Sequence, residues 1–338
     1  MQKFLVIQTA FIGDVVLATG LIEKLHAFFP DAQIDFLVRK GNEALLAGHP
    51  FLHEVLVWDK KKNKLRNLFR LIGKVRATKY DKVINVQRFA ATGLLTAFSG
   101  AGERIGFDKN PLSRFFTKKI PHLVSYGGDP QAPAHEIDRN QTLIRDFTDS
   151  VPARPRLYPT AQDVEKVQEY KTGIYITLSP ASVWFTKQYP KEKWIRLLRR
   201  IPADYKVYLL GAPSDLSLCE EIREGSGHPL TTVLAGKLSF LQSAALMKDA
   251  LMNYVNDSAP MHFASSVNAP VTAIYCSTIP AFGFGPLSDS RFIVETHKAL
   301  DCRPCGLHGY KACPLGHFDC SYSITEEQLL DVLPQEGE

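Results

Sequence analysis

The sequence predicts an α/β fold of two doubly wound parallel sheets, and three observations carry that prediction. At 338 residues the chain is more than twice the roughly 150 residues usual for one domain. Short runs rich in Val and Ile alternate with amphipathic helical patterns along most of its length, as strands and crossover helices do in a parallel sheet. That alternation comes as two series, separated by a stretch rich in Gly and Pro. The composition agrees: 45% hydrophobic and 22% charged residues with a mean hydropathy of −0.10 describe an ordinary globular chain and argue against long disorder.

In the first series, strands are expected at 4–8, 34–38, 55–58, 83–86 and 104–106, with helices over 15–29 and 65–77 between them. Gly127, Gly128, Asp129, Pro130 and Pro133 then precede one amphipathic helix at 135–147, after which Pro152, Pro155 and Pro159 stiffen an extended connection. The domain boundary belongs there, giving domains 1–155 and 156–338. The second series has strands at 174–178, 207–210, 233–235, 252–255 and 271–275, each expected to lead through a loop into a helix. A final helix at 325–333 opens on Thr325-Glu326-Glu327-Gln328, a capping signal.

Composition excludes several classes. The most apolar stretch, 4–22, is broken by Asp14, so no run reaches the roughly 18 to 20 apolar residues of a spanning helix. With no secretion-signal pattern at the N-terminus, a cytoplasmic location is expected, where the six cysteines point to free thiols or a metal and not to a disulfide framework. The net charge of +5 is local: residues 60–79 hold nine basic side chains and no acid, leaving the remainder net negative. Leu65, Leu68, Phe69, Ile72 and Val75 recur there at helical spacing, predicting one apolar stripe beneath a cationic face. That face, with Lys61, Lys62, Lys64 and Arg66 at its start, is either solvated or a contact for anionic lipid, where each basic group contributes about 1 kcal/mol. Nucleic acid is disfavoured, since neither zinc-finger spacing nor interleaved stacking aromatics accompany the charge.

Open α/β sheets bind ligands outside the carboxyl ends of their strands, so two of them facing a cleft would each hold one substrate in the loops there. After the first strand comes Gln8-Thr9-Ala10-Phe11-Ile12-Gly13-Asp14. It has neither the three glycines of a dinucleotide fingerprint nor the Gly-Lys-Ser/Thr of a phosphate loop. Asp14 is either an acid favoured by the helix dipole, worth about 0.3 to 1 kcal/mol, or a base that takes a proton from an acceptor hydroxyl. In the second series, Ser179 to Ser182 follow the first strand and Lys187 to Trp194 bring a lysine toward a helix, where it can neutralise phosphate. Gly211-Ala212-Pro213-Ser214-Asp215 supplies a turn and an acid able to accept from a ribose. Asn256-Asp257-Ser258-Ala259-Pro260-Met261-His262 is more specific: Asp257 or Ser258 can cap, Pro260 suits a first turn, and small Ser258 and Ala259 admit an anion to the backbone N–H groups. An ordinary capped helix with a satisfied His262 is the competing reading.

Together these runs resemble glycosyltransferase family 9, the ADP-heptose:lipopolysaccharide heptosyltransferases. The residues carrying the resemblance are Ile12-Gly13-Asp14-Val15-Val16, the stretch 187–194, Gly211-Ala212-Pro213, Asp257-Ser258-Ala259 with His262, and His135, Arg139 and Asn140, in order over nearly the whole chain. The resemblance implies a GT-B fold, two Rossmann-like domains facing an interdomain cleft, the first binding acceptor and the second donor. It implies an inverting, metal-independent transfer in which Asp14 deprotonates the acceptor hydroxyl and a nucleoside diphosphate leaves. No cofactor is implied. Lys187 would meet the phosphates, Asp215 the ribose, and Ser258, Ala259 and His262 the diphosphate or heptose, with Asp257 on the sugar and Ser179 beside them. Where many members have Asp-Thr-Gly, this chain has Asp257-Ser258-Ala259, which keeps the hydroxyl and the small residue. The implied partners are ADP-heptose and an anionic Kdo-bearing lipid A acceptor at the cytoplasmic face of the inner membrane, which would make the protein peripheral there. A nucleotide-sugar epimerase of similar fold, or a non-catalytic protein binding sugar nucleotide or lipid A, are the alternatives. Finally, Cys302, Cys305, Cys313 and Cys320 fall in one loop-rich stretch with His308 and His317, close to zinc-site composition but without paired C-x2-C spacing.

Overall fold

The computed structural model describes residues 1–124 and 134–333. The expected turn at Gly127, Gly128, Asp129, Pro130 and Pro133 lies outside the described residues. The chain divides into two compact units, Met1–Tyr158 and Pro159–Glu338.

The first unit is one parallel sheet in the order β3-β2-β1-β4-β5-β6, with β1 (Lys3–Ile7), β2 (Gln33–Arg39), β3 (Glu54–Trp58), β4 (Lys82–Asn85), β5 (Glu103–Phe107) and β6 (Lys118–Ile120). Phe4, Leu5, Val6 and Ile7 are fully buried, as strands covered on both faces must be. Helices α1 (Ile12–Phe28), α2 (Lys64–Thr78) and α3 (Ala90–Ala97) connect the strands, and α4 (Glu136–Gln141) follows. The middle helix is therefore shorter than the expected 135–147. Its start is fixed by a capping box between His135 and Asp138.

The connection that follows α4 belongs to this unit because it packs on α1. A Cβ at Gly20 would sit 2.6 Å from the Ala153 carbonyl oxygen, so only glycine lets the two backbones meet. Alongside, the Arg156 N–H donates to Thr19 Oγ1 at 2.9 Å and the Tyr158 hydroxyl to Glu23 at 2.9 Å.

The apolar stripe of α2 differs from expectation. Leu68, Leu71, Ile72 and Val75 are buried, but Leu65 and Phe69 are 65% and 63% exposed. All four buried positions face the sheet. Leu65 and Phe69, one turn apart, lie outside that arc among the basic side chains.

The second unit repeats the architecture in the order β12-β11-β10-β7-β8-β9, with β7 (Tyr175–Ser179), β8 (Lys206–Leu209), β9 (Thr231–Val233), β10 (Met252–Asn256), β11 (Val271–Tyr275) and β12 (Arg291–Glu295). Its helices are α5 (Ala161–Val167), α6 (Lys191–Leu198), α7 (Leu216–Ser226), α8 (Phe240–Lys248), α9 (Ala259–Ser266), α10 (Asp319–Tyr322) and α11 (Glu326–Leu330). A capping box between Thr325 and Gln328 opens α11. Strand β11 is not followed by an α-helix as expected; a short 3-10 turn at Pro280–Phe282 leads to β12. Among the described residues, no helix is long and apolar enough to cross a membrane.

Candidate active site

In each sheet, strand order reverses once, and that point gathers the chemistry. In the first unit the chain runs outward from β1 to β3 and then returns to build β4 to β6 on the other side, so the crevice lies between the ends of β1 and β4. Asp14 sits there, in the first turn of α1, half-buried. The residue before the helix, Phe11, offers no side-chain cap, so the start of α1 favours an acid electrostatically. The loop leading to Asp14 is tied to its neighbours: the Gln87 amide after β4 donates to Gln8, and Lys60 after β3 reaches the Thr9 carbonyl at 2.9 Å and hydroxyl at 3.0 Å. Burial, with the charges of Arg39 and Lys64, brings the Lys60 ammonium down to about 8. Lys60 is thus drawn inward and does not share the cationic surface of Lys61, Lys62, Lys64 and Arg66. Asp59 fixes that surface's entry, its carboxylate held down to about 2 by the Lys62 N–H, the Lys40 ammonium and the Lys61 N–H.

The loops after β4, β5 and β6 border an open cavity of about 570 Å³ lined by Arg88, Phe89, Lys109, His122 and Val124. No carboxylate lines it among the described residues. Burial, reinforced by the charges of Arg88 and Arg139, brings the His122 imidazole down to about 4, so it is neutral at pH 7. These side chains were not anticipated from sequence. They are spread over three loops distant in sequence, and the shared signal is only that each loop follows a strand.

In the second unit the reversal lies between β7 and β10. The loops there are joined by Asn256, whose amide donates to the Pro180 carbonyl at 2.8 Å and accepts from the Tyr189 N–H at 3.0 Å. Lys187 and Asp257 meet on these two loops, Nζ to Oδ2 2.7 Å, with side chains only 14% and 9% exposed. The Thr278 hydroxyl at the end of β11 donates to the same Oδ2 at 2.6 Å. Lys187, expected to neutralise phosphate, already has one of its three protons committed to a carboxylate. The expected capping of α9 also differs: Asp257 is engaged with Lys187 and Thr278, while Ser258 occupies the N-cap without a side-chain cap and turns its hydroxyl to the Asn256 carbonyl at 3.3 Å. Ala259 and Pro260 open the helix, and His262 is buried in its second half-turn.

Two further expected residues sit close by in the chain. Ser179 ends β7 fully enclosed, its Oγ with no partner among the described residues, which costs about 1–3 kcal/mol unless a ligand supplies one. Asp215 holds its own turn, accepting from the Ala212 N–H at 2.8 Å and the Ser214 hydroxyl at 3.1 Å, so a ribose would use its remaining lone pairs. The cysteines are free thiols. Cys302 Sγ approaches His317 Nε2 only to 4.0 Å, and among the described residues no three His, Cys, Asp or Glu side chains are grouped to hold a metal.

Comparison with known proteins completes the picture. The sequence pattern of glycosyltransferase family 9 (heptosyltransferase) matches residues 68–309. Lipopolysaccharide heptosyltransferase 3 of Escherichia coli is 29% identical over 282 residues, covering 79% of this chain and 82% of that protein. Among solved structures, the family 9 glycosyl transferase of Veillonella parvula DSM 2008 superimposes with a TM-score of 0.83 at 24% identity, covering 98% of this chain and 96% of that one. The E. coli heptosyltransferase WaaC with ADP gives 0.73 at 17% identity, covering 98% of each chain. The architecture is thus GT-B, and with the family pattern spanning well over half of its length, the chain belongs to glycosyltransferase family 9, the heptosyltransferases.

Proposed function

We propose that the protein transfers heptose from ADP-heptose to the inner core of a lipid A-linked lipopolysaccharide acceptor. The observation that carries this reading is the pairing of chemistry with topology: a carboxylate at the switch point of one sheet, and, at the switch point of the other, a lysine paired with the acid that precedes a helix start without a side-chain cap. The first unit supplies the base, Asp14, and acceptor contacts. The second holds the donor, with Lys187 and the start of α9 receiving the charge that develops on the departing diphosphate. Ser179, Asp215, Ser258, Ala259 and His262 complete the donor contacts, and Asp257 orients Lys187 and the sugar. A relative of the same fold is solved with ADP, which supports the nucleotide assignment. The cavity lined by the cations Arg88 and Lys109, with neutral His122 beside them, supports an anionic acceptor.

The test is to incubate the protein with ADP-heptose, with and without a Kdo-bearing acceptor, and to follow ADP release and the sugar. ADP release that requires acceptor is the expected result. Conversion of the sugar without acceptor would mark an epimerase, and binding without turnover a recognition protein.

A peripheral location at the cytoplasmic face of the inner membrane is part of the proposal, and α2 supports it. Its basic residues face an anionic surface while exposed Leu65 and Phe69 provide apolar area to bury in it, the pattern of a helix lying in the plane of a membrane interface. Neutralising Lys61, Lys62, Lys64 and Arg66 is expected to weaken binding to phosphatidylglycerol vesicles by on the order of 10²-fold or more at low salt. Leu65→Ser with Phe69→Ser is expected to remove the binding that survives high salt. Vesicle flotation that is equal for wild type and both variants would leave α2 as a solvated helix.

A further inference from the structure

The cysteine-bearing segment has no role in the activity described so far, yet it is pinned to the donor-side lysine. At its start, Arg303 donates to the carbonyls of Cys276 at 2.8 Å, Tyr275 at 3.2 Å and Thr278 at 2.8 Å, and to Glu295 at 2.6 Å, fastening the segment to the end of β11. Two residues on, the Cys305 N–H donates to the Ser277 carbonyl at 2.8 Å. The segment then crosses the loop after β7. The Thr186 N–H donates to the Tyr310 carbonyl at 3.1 Å, and the Tyr310 N–H returns a bond to Thr186 Oγ1 at 2.7 Å. The Ser277 hydroxyl donates to the same Oγ1 at 3.0 Å. Thr186 is buried, and its hydroxyl joins three strands of chain: the lysine loop, the end of β11 and the cysteine segment.

Gly309 makes this arrangement possible. Its φ is +75°, and a Cβ there would lie 2.9 Å from Thr186 Oγ1, 3.2 Å from Lys187 Cγ and 3.3 Å from Ser277 Oγ. The backbone at 309 is thus laid against the aliphatic stem of Lys187, while Asp257 holds its ammonium. A lysine has four rotatable bonds, and holding its stem in advance reduces what must be ordered when a phosphate arrives.

We propose that Gly309, Tyr310, Thr186 and Ser277 form a clasp that positions Lys187 for the donor diphosphate, and that this is the function of the cysteine-bearing segment. The four are positioning residues: they act through Lys187 and touch no substrate. The proposal rests on Lys187 meeting the diphosphate, and the experiment separates the two ideas.

ADP affinity is measured by calorimetry, and the KM for ADP-heptose and kcat by turnover, for Thr186→Val, Thr186→Ser, Lys187→Gln and the double variant Thr186→Val with Lys187→Gln. Loss of positioning in Thr186→Val is expected to weaken ADP binding by about tenfold and to raise the KM for ADP-heptose more than it lowers kcat. Thr186→Ser keeps the hydroxyl and is expected to recover wild-type affinity. Once Lys187 is gone, Thr186→Val should cost nothing further in ADP binding, because residues that act through a common partner are non-additive. Wild-type ADP affinity in Thr186→Val, or fully additive losses in the double variant, would overturn the clasp. If Thr186→Val fails to fold, Ser277→Ala removes one of the same hydrogen bonds and is read in the same way. Failure of wild-type protein to bind ADP or transfer heptose would instead refute the activity on which the clasp rests.

Discussion

Asp14→Asn is expected to lower kcat for heptose transfer by about 10² to 10⁴, the usual contribution of a positioned general base. ADP affinity should remain at the wild-type level. The substitution keeps shape and removes the ability to take a proton, and the proposed donor contacts lie on a different unit of the chain. The carboxylate occupies the first turn of α1, so the variant also loses a favourable interaction with the helix dipole, worth about 0.3–1 kcal/mol. That loss is too small to unfold the domain, so steady-state turnover beside calorimetric ADP binding separates catalysis from folding. Unchanged turnover would remove Asp14 from the mechanism.

Lys187→Gln is the second large effect, and its sign depends on Asp257. The ammonium and the carboxylate are 2.7 Å apart and mostly shielded from water. A charge-assisted contact to a diphosphate contributes about 1.5–3 kcal/mol, so losing the lysine should weaken ADP binding by roughly 10- to 100-fold. It also strands the Asp257 carboxylate beside the site, repelling the anion and destabilising the second unit, since breaking a buried pair costs more than removing it whole. The double variant Lys187→Gln with Asp257→Asn should therefore bind ADP better, and melt higher, than Lys187→Gln alone. Affinities that simply add would show that Asp257 and Lys187 do not share the donor site.

The sequence disclosed the strands well for a physical reason. Strands covered on both faces are short Val- and Ile-rich runs, and 271–275 coincides with β11 while 4–8 is displaced from β1 by one residue. The strands that escaped notice are edges. Lys118–Ile120 has three residues, two of them lysine, and in Arg291–Glu295 both Phe292 and Ile293 are substantially exposed, so neither carries the signature of burial. Helix α3 was overlooked because Ala90–Ala97 is dominated by small residues and lacks a clear polar face. The stripe on α2 failed more instructively. Five apolar positions at helical spacing suggested one buried face, but period alone cannot tell which apolar residues pack and which face outward, and Leu65 and Phe69 are outward.

The individual site residues were legible as types in loops, because a carboxylate, a lysine and a small-residue helix start each has recognisable chemistry. Their partnerships were not. Nothing local in Lys187 announces Asp257 seventy residues later, and nothing in Gly309 announces that a side chain there would strike Thr186. Contacts of that kind arise when the strand order brings distant loops to one sheet edge.

The most direct test of the account is the configuration of the product's anomeric carbon, read by NMR after transfer from ADP-heptose. One carboxylate activating an acceptor hydroxyl against a departing diphosphate is a single displacement, and the account predicts inversion. Retention would require a second nucleophile and a glycosyl intermediate, and would contradict the role given to Asp14.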